Sequence, residues 1–155
     1  MQSGNSTNCA KWHTDCKEFL VVAIVASAES LQLRFDSDIT FVDYAVDIID
    51  DLLSYHGIRD RTNLLIVCRE LLKNAVVHGN RNDVGKAVTF RVERVGGGSY
   101  RVEAEDGGSG CQQAALKAGV GESCSEQRRG GFALIRAVAQ RVDVDGNRVT
   151  ALVDL

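Results

Sequence analysis

Glu70 and Asn74 carry the clearest chemical possibility in this chain. In Arg69-Glu70-Leu71-Leu72-Lys73-Asn74-Ala75-Val76-Val77-His78-Gly79-Asn80, a helix would put that carboxylate and that amide on one face, about one turn apart. Leu71, Leu72, Ala75 and Val76 could then face a core, leaving a general base and an oxygen ligand for a metal side by side. Gly79 is predicted to end the helix in the left-handed conformation, with His78 in the last turn, where a cation suits the helix dipole. Polar residues on a helix usually face water, so the pair gains weight only from a second polar cluster. Asp106-Gly107-Gly108-Ser109-Gly110 supplies one: a carboxylate beside a glycine-rich break, where backbone can approach a ligand closely. Further on, Arg128-Arg129-Gly130-Gly131 leads into the apolar helix Phe132 to Gln140. Backbone N–H groups at a helix start, with two arginines beside them, form a polyphosphate cradle.

The elements that must position these residues follow from periodicity. Leu31, Leu33 and Phe35 alternate with Gln32 and Arg34, the pattern of a half-buried strand. Ser37 or Asp38 can cap the next helix, whose Val42, Ala45, Val46, Ile49, Leu52 and Leu53 recur at helical spacing until Gly57. The central helix is predicted from near Asp60 to His78, roughly 27 Å at about 1.5 Å per residue. Val88, Phe90 and Val92 then alternate with polar residues, and Gly96-Gly97-Gly98 turns the chain into an antiparallel partner strand. In that partner Tyr100, Val102 and Ala104 share a face, and counting by twos aims Asp106 toward the covered side as well. A carboxylate is costly there unless something needs it. Cys111 to Gln127 reads as a loop with at most a short helix over Ala114 to Lys117. Val142 and Val144, an Asp145-Gly146-Asn147 turn, and Val149, Ala151 and Val153 read as a closing hairpin. Asp143, Asp145 and Asn147 also mimic the start of a calcium loop, but Arg148 stands where its turn glycine is required. The sum is an α+β, two-layer α/β sandwich: a mixed, mostly antiparallel sheet covered on one face by about three helices.

A chain of 155 residues suits one domain with a single core. Its net charge of −3 and the lack of long basic runs give nucleic acid no evident footing. Five cysteines without a repeated spacing suit reduced thiols in a cytoplasmic protein rather than a disulfide framework. Cys9, His13 and Cys16 could give three metal ligands, but no Cys/His pair follows to close a four-ligand site. Phe19 to Ala28 is apolar yet too short to span a bilayer. Ala26-Ser27-Ala28 resembles a signal-cleavage site, but the polar lead with Asp15 and Glu18 argues against one, and an extra strand or packing segment is expected.

Glu-x-x-x-Asn-Ala at 70–75, Asp-x-Gly-x-Gly at 106–110 and a glycine-bearing helix start at 129–135 stand in the order and spacing of a known superfamily. The chain resembles the ATPases of histidine kinases, gyrase and heat-shock chaperones. More narrowly, the uninterrupted Glu70 to Asn80 stretch, the final Gly-Phe-Ala-Leu-Ile and the small size are similar to anti-sigma factor serine kinases. The resemblance covers Leu31 to Leu155, leaving residues 1–30 as an N-terminal extension and 31–155 as the ATP-binding domain.

The resemblance implies ATP and Mg²⁺ as ligands. Asn74 would hold the metal through its carbonyl oxygen, Glu70 would act as general base, and Asp106 would accept a hydrogen bond from the adenine amino group. His78 joins the nucleotide-binding residues by its place in the motif. Gly108 and Gly110 would let backbone pass the nucleotide, Gly130 and Gly131 would present amides to phosphates, and Arg128 or Arg129 would neutralise the transferred phosphoryl. Relatives carry Gly-x-Gly where this chain has Arg129-Gly130-Gly131. If that first position needs a positive φ, arginine strains it; if not, arginine adds a phosphate contact.

The implied activity is a cytoplasmic protein-serine/threonine kinase that phosphorylates a STAS-type anti-anti-sigma protein and sequesters a sigma factor, as a homodimer. A histidine autokinase, a topoisomerase or a chaperone would need further domains, for which about 30 residues before Leu31 leave no room. The alternative is a binding module that uses ATP as a switch without transferring phosphate.

Overall fold

Strict alternation in four segments decides the core of the sheet, because successive side chains of a strand point to opposite faces. Leu31, Leu33 and Phe35, Val88, Phe90 and Val92, Tyr100, Val102 and Ala104, and Val149, Ala151 and Val153 are all buried. In the computed structural model, which describes residues 21–27, 29–109 and 126–155, they lie on strands β2 (Ser30–Asp36), β3 (Ala87–Gly96), β4 (Ser99–Glu105) and β6 (Arg148–Asp154). β1 (Val21–Ala26) and β5 (Arg141–Asp145) complete a six-stranded sheet of order β1-β2-β3-β4-β6-β5. The sheet, expected to be mixed and mostly antiparallel, has every described pairing antiparallel. Register aligns Leu33, Phe90, Ala104 and Val149 in one row across four strands.

Three helices cover the apolar face: α1 (Thr40–Tyr55), α2 (Thr62–Lys73) and α3 (Glu126–Val138). Phe41, Val42, Ala45, Val46, Ile49 and Leu53 of α1, Leu64, Val67, Cys68, Leu71 and Leu72 of α2, and Phe132 and Ile135 of α3 join one core. The opposite face carries Arg34, Arg91, Arg101 and Arg148 in the open, with ion pairs such as Arg148 to Glu105 at 2.6 Å. Exposed pairs of this kind contribute on the order of 0–1 kcal/mol, so the buried face holds the fold.

Several boundaries differ from the sequence reading. β1 is the expected extra strand, but it pairs with β2 from Val21 opposite Phe35 to Ala26 opposite Leu31, so part of the 1–30 extension belongs to the sheet. Of the two candidate caps, Asp38 is the one that works: its Oδ1 accepts from the backbone N–H of Thr40 at 2.8 Å and from its hydroxyl at 2.7 Å. Ser37 is buried instead, its hydroxyl 3.5 Å from the carbonyl of Val76. The central helix starts at Thr62, and beyond Lys73 it continues as a π-helical turn, Asn74–Gly79. Helix α3 begins at Glu126, ahead of the predicted start at Phe132.

Turns obey local chemistry. Gly97 and Gly98, at φ of 61° and 85°, supply the left-handed backbone that a tight hairpin requires. Gly146 at φ 59° does the same between β5 and β6, so Asp143, Asp145 and Asn147 belong to a hairpin rather than a calcium loop. Among the described residues, no helix is long and apolar enough to cross a membrane. Among them, too, no group of three or more His, Cys, Asp or Glu could hold a metal ion. Cys9, His13, Cys16, the 114–117 helix and Gly110 lie outside the described residues.

Candidate functional site

Glu70 sits in the last turn of α2 and Asn74 opens the π turn that follows. The apolar residues between them, Leu71 and Leu72, are almost fully buried and fix the helix face. Asn74 is 5% exposed, yet its Nδ2 has no hydrogen-bond partner among the described residues. A buried amide left unpaired costs about 1–3 kcal/mol. The oxygen and nitrogen ends of an amide can be exchanged by a half-turn, so either end can be presented to a ligand there. This orphaned group fits the chemistry expected of a hard-cation ligand, an amide oxygen beside a carboxylate.

The third wall comes from α3. A Cβ on Gly131 would lie 2.8 Å from Oε2 of Glu70 and 3.4 Å from Oδ1 of Asn74. Only a glycine lets α3 approach this closely without displacing the pair. A Cβ on Gly130, one residue earlier, would meet no atom of the described residues within 4 Å, and Gly130 is exposed. Gly130 and Gly131 are both helical, within the described span Glu126–Val138 of α3. The backbone of Arg128 and Arg129 is helical, so Arg129 meets no left-handed demand at the position where relatives carry glycine.

Asp106 follows β4 directly and is 9% exposed, as counting by twos from Tyr100 predicted. Two neighbours fix its backbone: its N–H donates to the carbonyl of Asn147 at 3.1 Å, and the Asn147 amide donates to its carbonyl. Its Oδ1 accepts from the N–H of Gly108 at 2.8 Å. Gly79 does not adopt the left-handed conformation predicted for it; that backbone falls on Arg81 and Asn82, at φ 57° and 56°. The glycine is needed for another reason: a Cβ there would lie 2.0 Å from Oδ2 of Asp106. A Cβ on Gly108 would likewise lie 2.3 Å from the carbonyl of Gly79. The π turn, Asp106 and the 107–108 backbone thus meet in direct contact, with His78 half-buried in the same turn.

Sequence reasoning passed over Asn80, which is fully buried and bonded to the backbone at Ala87 and Gly107. An asparagine between a helix end and a polar turn gives no local signal of contacts to residues so far along the chain. Cys68, fully buried on α2, is a core residue; burial pushes its thiol pKa well above the ordinary range.

An antiparallel sheet under three helices, with this polar pair on the central helix, is the histidine-kinase-like ATPase architecture. The sequence matches the family described as histidine kinase-like ATPase domain over residues 39–153, and the chain belongs to that family. No curated protein matches it. Among solved structures it is similar to the histidine kinase domain of the blue-light activated histidine kinase EL346 from Erythrobacter litoralis, at 17% identity and a TM-score of 0.42. That match covers 78% of this chain and 61% of the other.

Proposed function

We propose that this chain is an ATP-dependent protein-serine/threonine kinase that phosphorylates a STAS-type anti-anti-sigma protein and binds a sigma factor, acting as a homodimer. The observation that carries the reading is the Glu70 carboxylate and Asn74 amide held together beneath Gly131. A carboxylate beside the metal ligand supports a kinase over a non-catalytic ATP switch, because transfer to a hydroxyl calls for a base. Glu70 takes the proton from a partner serine or threonine hydroxyl, whose oxygen displaces ADP from the γ-phosphorus.

Asn74 is the residue that would hold Mg²⁺, which supplies neutralising charge between phosphates when bound. Asp106 reads the adenine amino group, with His78, Gly108 and Gly110 around the nucleotide. Arg128 or Arg129 offsets charge on the transferred phosphoryl. Gly131 keeps the α3 side of the pocket clear, and Gly130 beside it presents backbone toward the phosphates. The partner class rests on the likeness of the Glu70 to Asn80 stretch to anti-sigma factor kinases.

The test is transfer of labelled phosphate from ATP to purified STAS proteins by the parent and by Glu70→Gln. A loss of about 10²- to 10⁴-fold in rate, with nucleotide affinity unchanged, is the expected result. Transfer at the parent rate by Glu70→Gln removes the base assignment. Tight Mg-ATP binding by the parent without transfer to any STAS protein replaces the kinase with a nucleotide-dependent binding module.

A further inference from the structure

Asn80 takes no part in the chemistry above, yet its side chain is fully buried and used in two directions. Nδ2 donates to the carbonyl of Ala87, the first residue of β3, at 3.1 Å, and Oδ1 accepts from the N–H of Gly107 at 2.7 Å. The backbone of Asn80 is equally engaged. Its N–H donates to the carbonyl of Ala75 at 2.8 Å, a five-residue step that closes the π turn. Its carbonyl accepts from the N–H of Asp83 at 3.1 Å. One residue therefore ties the element bearing Asn74 to the start of β3 and to the loop just after Asp106.

The chain reverses immediately beyond it. Arg81 and Asn82 are the non-glycine residues with positive φ among those described, and the N–H of Asn82 reaches back to the carbonyl of Val76 at 2.9 Å. Left-handed backbone at such residues persists only where surrounding contacts enforce it, and it concentrates at functional sites. The Asp106 loop is then held from two sides. Asn147 fixes Asp106 itself to the β5–β6 turn, and Asn80 fixes Gly107 to the helix. Without the second anchor, Asp106 would keep its place on the sheet and against Gly79, while the Gly107 backbone that follows it would lose its hydrogen-bonded tie to the end of the helix.

We infer that Asn80 is a positioning residue that sets the spacing between the Glu70–Asn74 end of the site and the Asp106 loop, and so determines selectivity for a base bearing an exocyclic amino group. This rests on the nucleotide-binding reading of the same site. The residue type follows from the geometry. Donating to a carbonyl and accepting from an amide at once requires a side-chain amide. Aspartate retains only the acceptor, and serine is one bond shorter.

The test compares calorimetric affinities for ATP and for inosine triphosphate, whose base carries a carbonyl where adenine has its amino group. The parent favours ATP. Asn80→Ala lowers ATP affinity about tenfold, as expected for one well-aligned hydrogen bond, and leaves inosine triphosphate affinity nearly unchanged, so the ratio collapses. Asn80→Asp keeps the acceptor for Gly107 but sets a carboxylate oxygen against the carbonyl of Ala87, so it recovers only part of the ratio. General loosening of the fold would lower both affinities together and keep the ratio. If Asn80→Ala does not fold, Asn80→Ser carries the same comparison. An unchanged ratio in the alanine or serine variant overturns the inference. So does a parent that binds both nucleotides equally, while ATP binding itself stands. A parent that binds neither overturns the nucleotide reading and this inference with it.

Discussion

The carboxylate of Asp106 occupies the space that a Cβ on Gly79 would need, with Oδ2 at 2.0 Å and Cγ at 2.1 Å from where that atom would lie. Two residues far apart in sequence are thus in contact because one of them lacks a side chain. Gly79→Ala is expected to push Asp106 out of register, destabilising the fold by about 1–3 kcal/mol and abolishing ATP binding. Gly57→Ala is the control: at φ 75° with no atom of the described residues within 4 Å, it strains a turn away from the site. That change should cost about 1–2 kcal/mol and leave binding intact. Urea unfolding and calorimetry of the two variants check both statements.

Asn74 separates stability from function. Its buried Nδ2 has no partner among the described residues, so Asn74→Ala removes a group unsatisfied within them. The variant is expected to unfold within about 1 kcal/mol of the parent, or later, while magnesium-dependent ATP binding disappears. Urea melts beside titrations with and without Mg²⁺ give the answer, and a marked drop in stability would show that the amide is satisfied in the folded protein.

The two glycines within α3 should behave differently from each other. Gly131→Ala brings a methyl group to 2.8 Å from Oε2 of Glu70, the mobile end of a side chain. The fold should survive while the carboxylate swings aside, lowering phosphotransfer by about 10²-fold, the scale of a misplacement near 1 Å. Gly130→Ala, in a helix, meets no atom of the described residues within 4 Å and should raise stability by about 1 kcal/mol. Paired thermal melts and transfer rates distinguish the two positions.

Cys68 gives a pH prediction. Burial raises its folded-state pKa above the unfolded value, so the unfolded chain releases a proton that the folded chain retains. The contribution is fully present below the ordinary thiol pKa, about 8.5, and is lost as pH rises above it. Stability measured from pH 8 to 10 should fall more steeply in the parent than in Cys68→Ala. Iodoacetamide labelling followed by peptide mapping should leave Cys68 unmodified until the protein unfolds.

Much of the fold is legible in the sequence because it depends on local patterns. Alternation in Leu31 to Phe35, Val88 to Val92, Tyr100 to Ala104 and Val149 to Val153 marks the buried face of four strands, and helical spacing marks the inner face of α1 and α2. Glycines at 97, 98 and 146 mark turns that need positive φ. The same counting placed Asp106 on the covered side, and the one-turn step placed Glu70 and Asn74 on one face. What those patterns could not carry is distance between elements. Only the tertiary structure turned the end of the central helix into a π turn, made Gly79 a steric vacancy for Asp106 rather than a left-handed cap, brought Gly131 onto Glu70, and latched Gly107 to Asn80. Periodicity reports which way a side chain points along its own element; which atoms it meets is decided where separate elements pack.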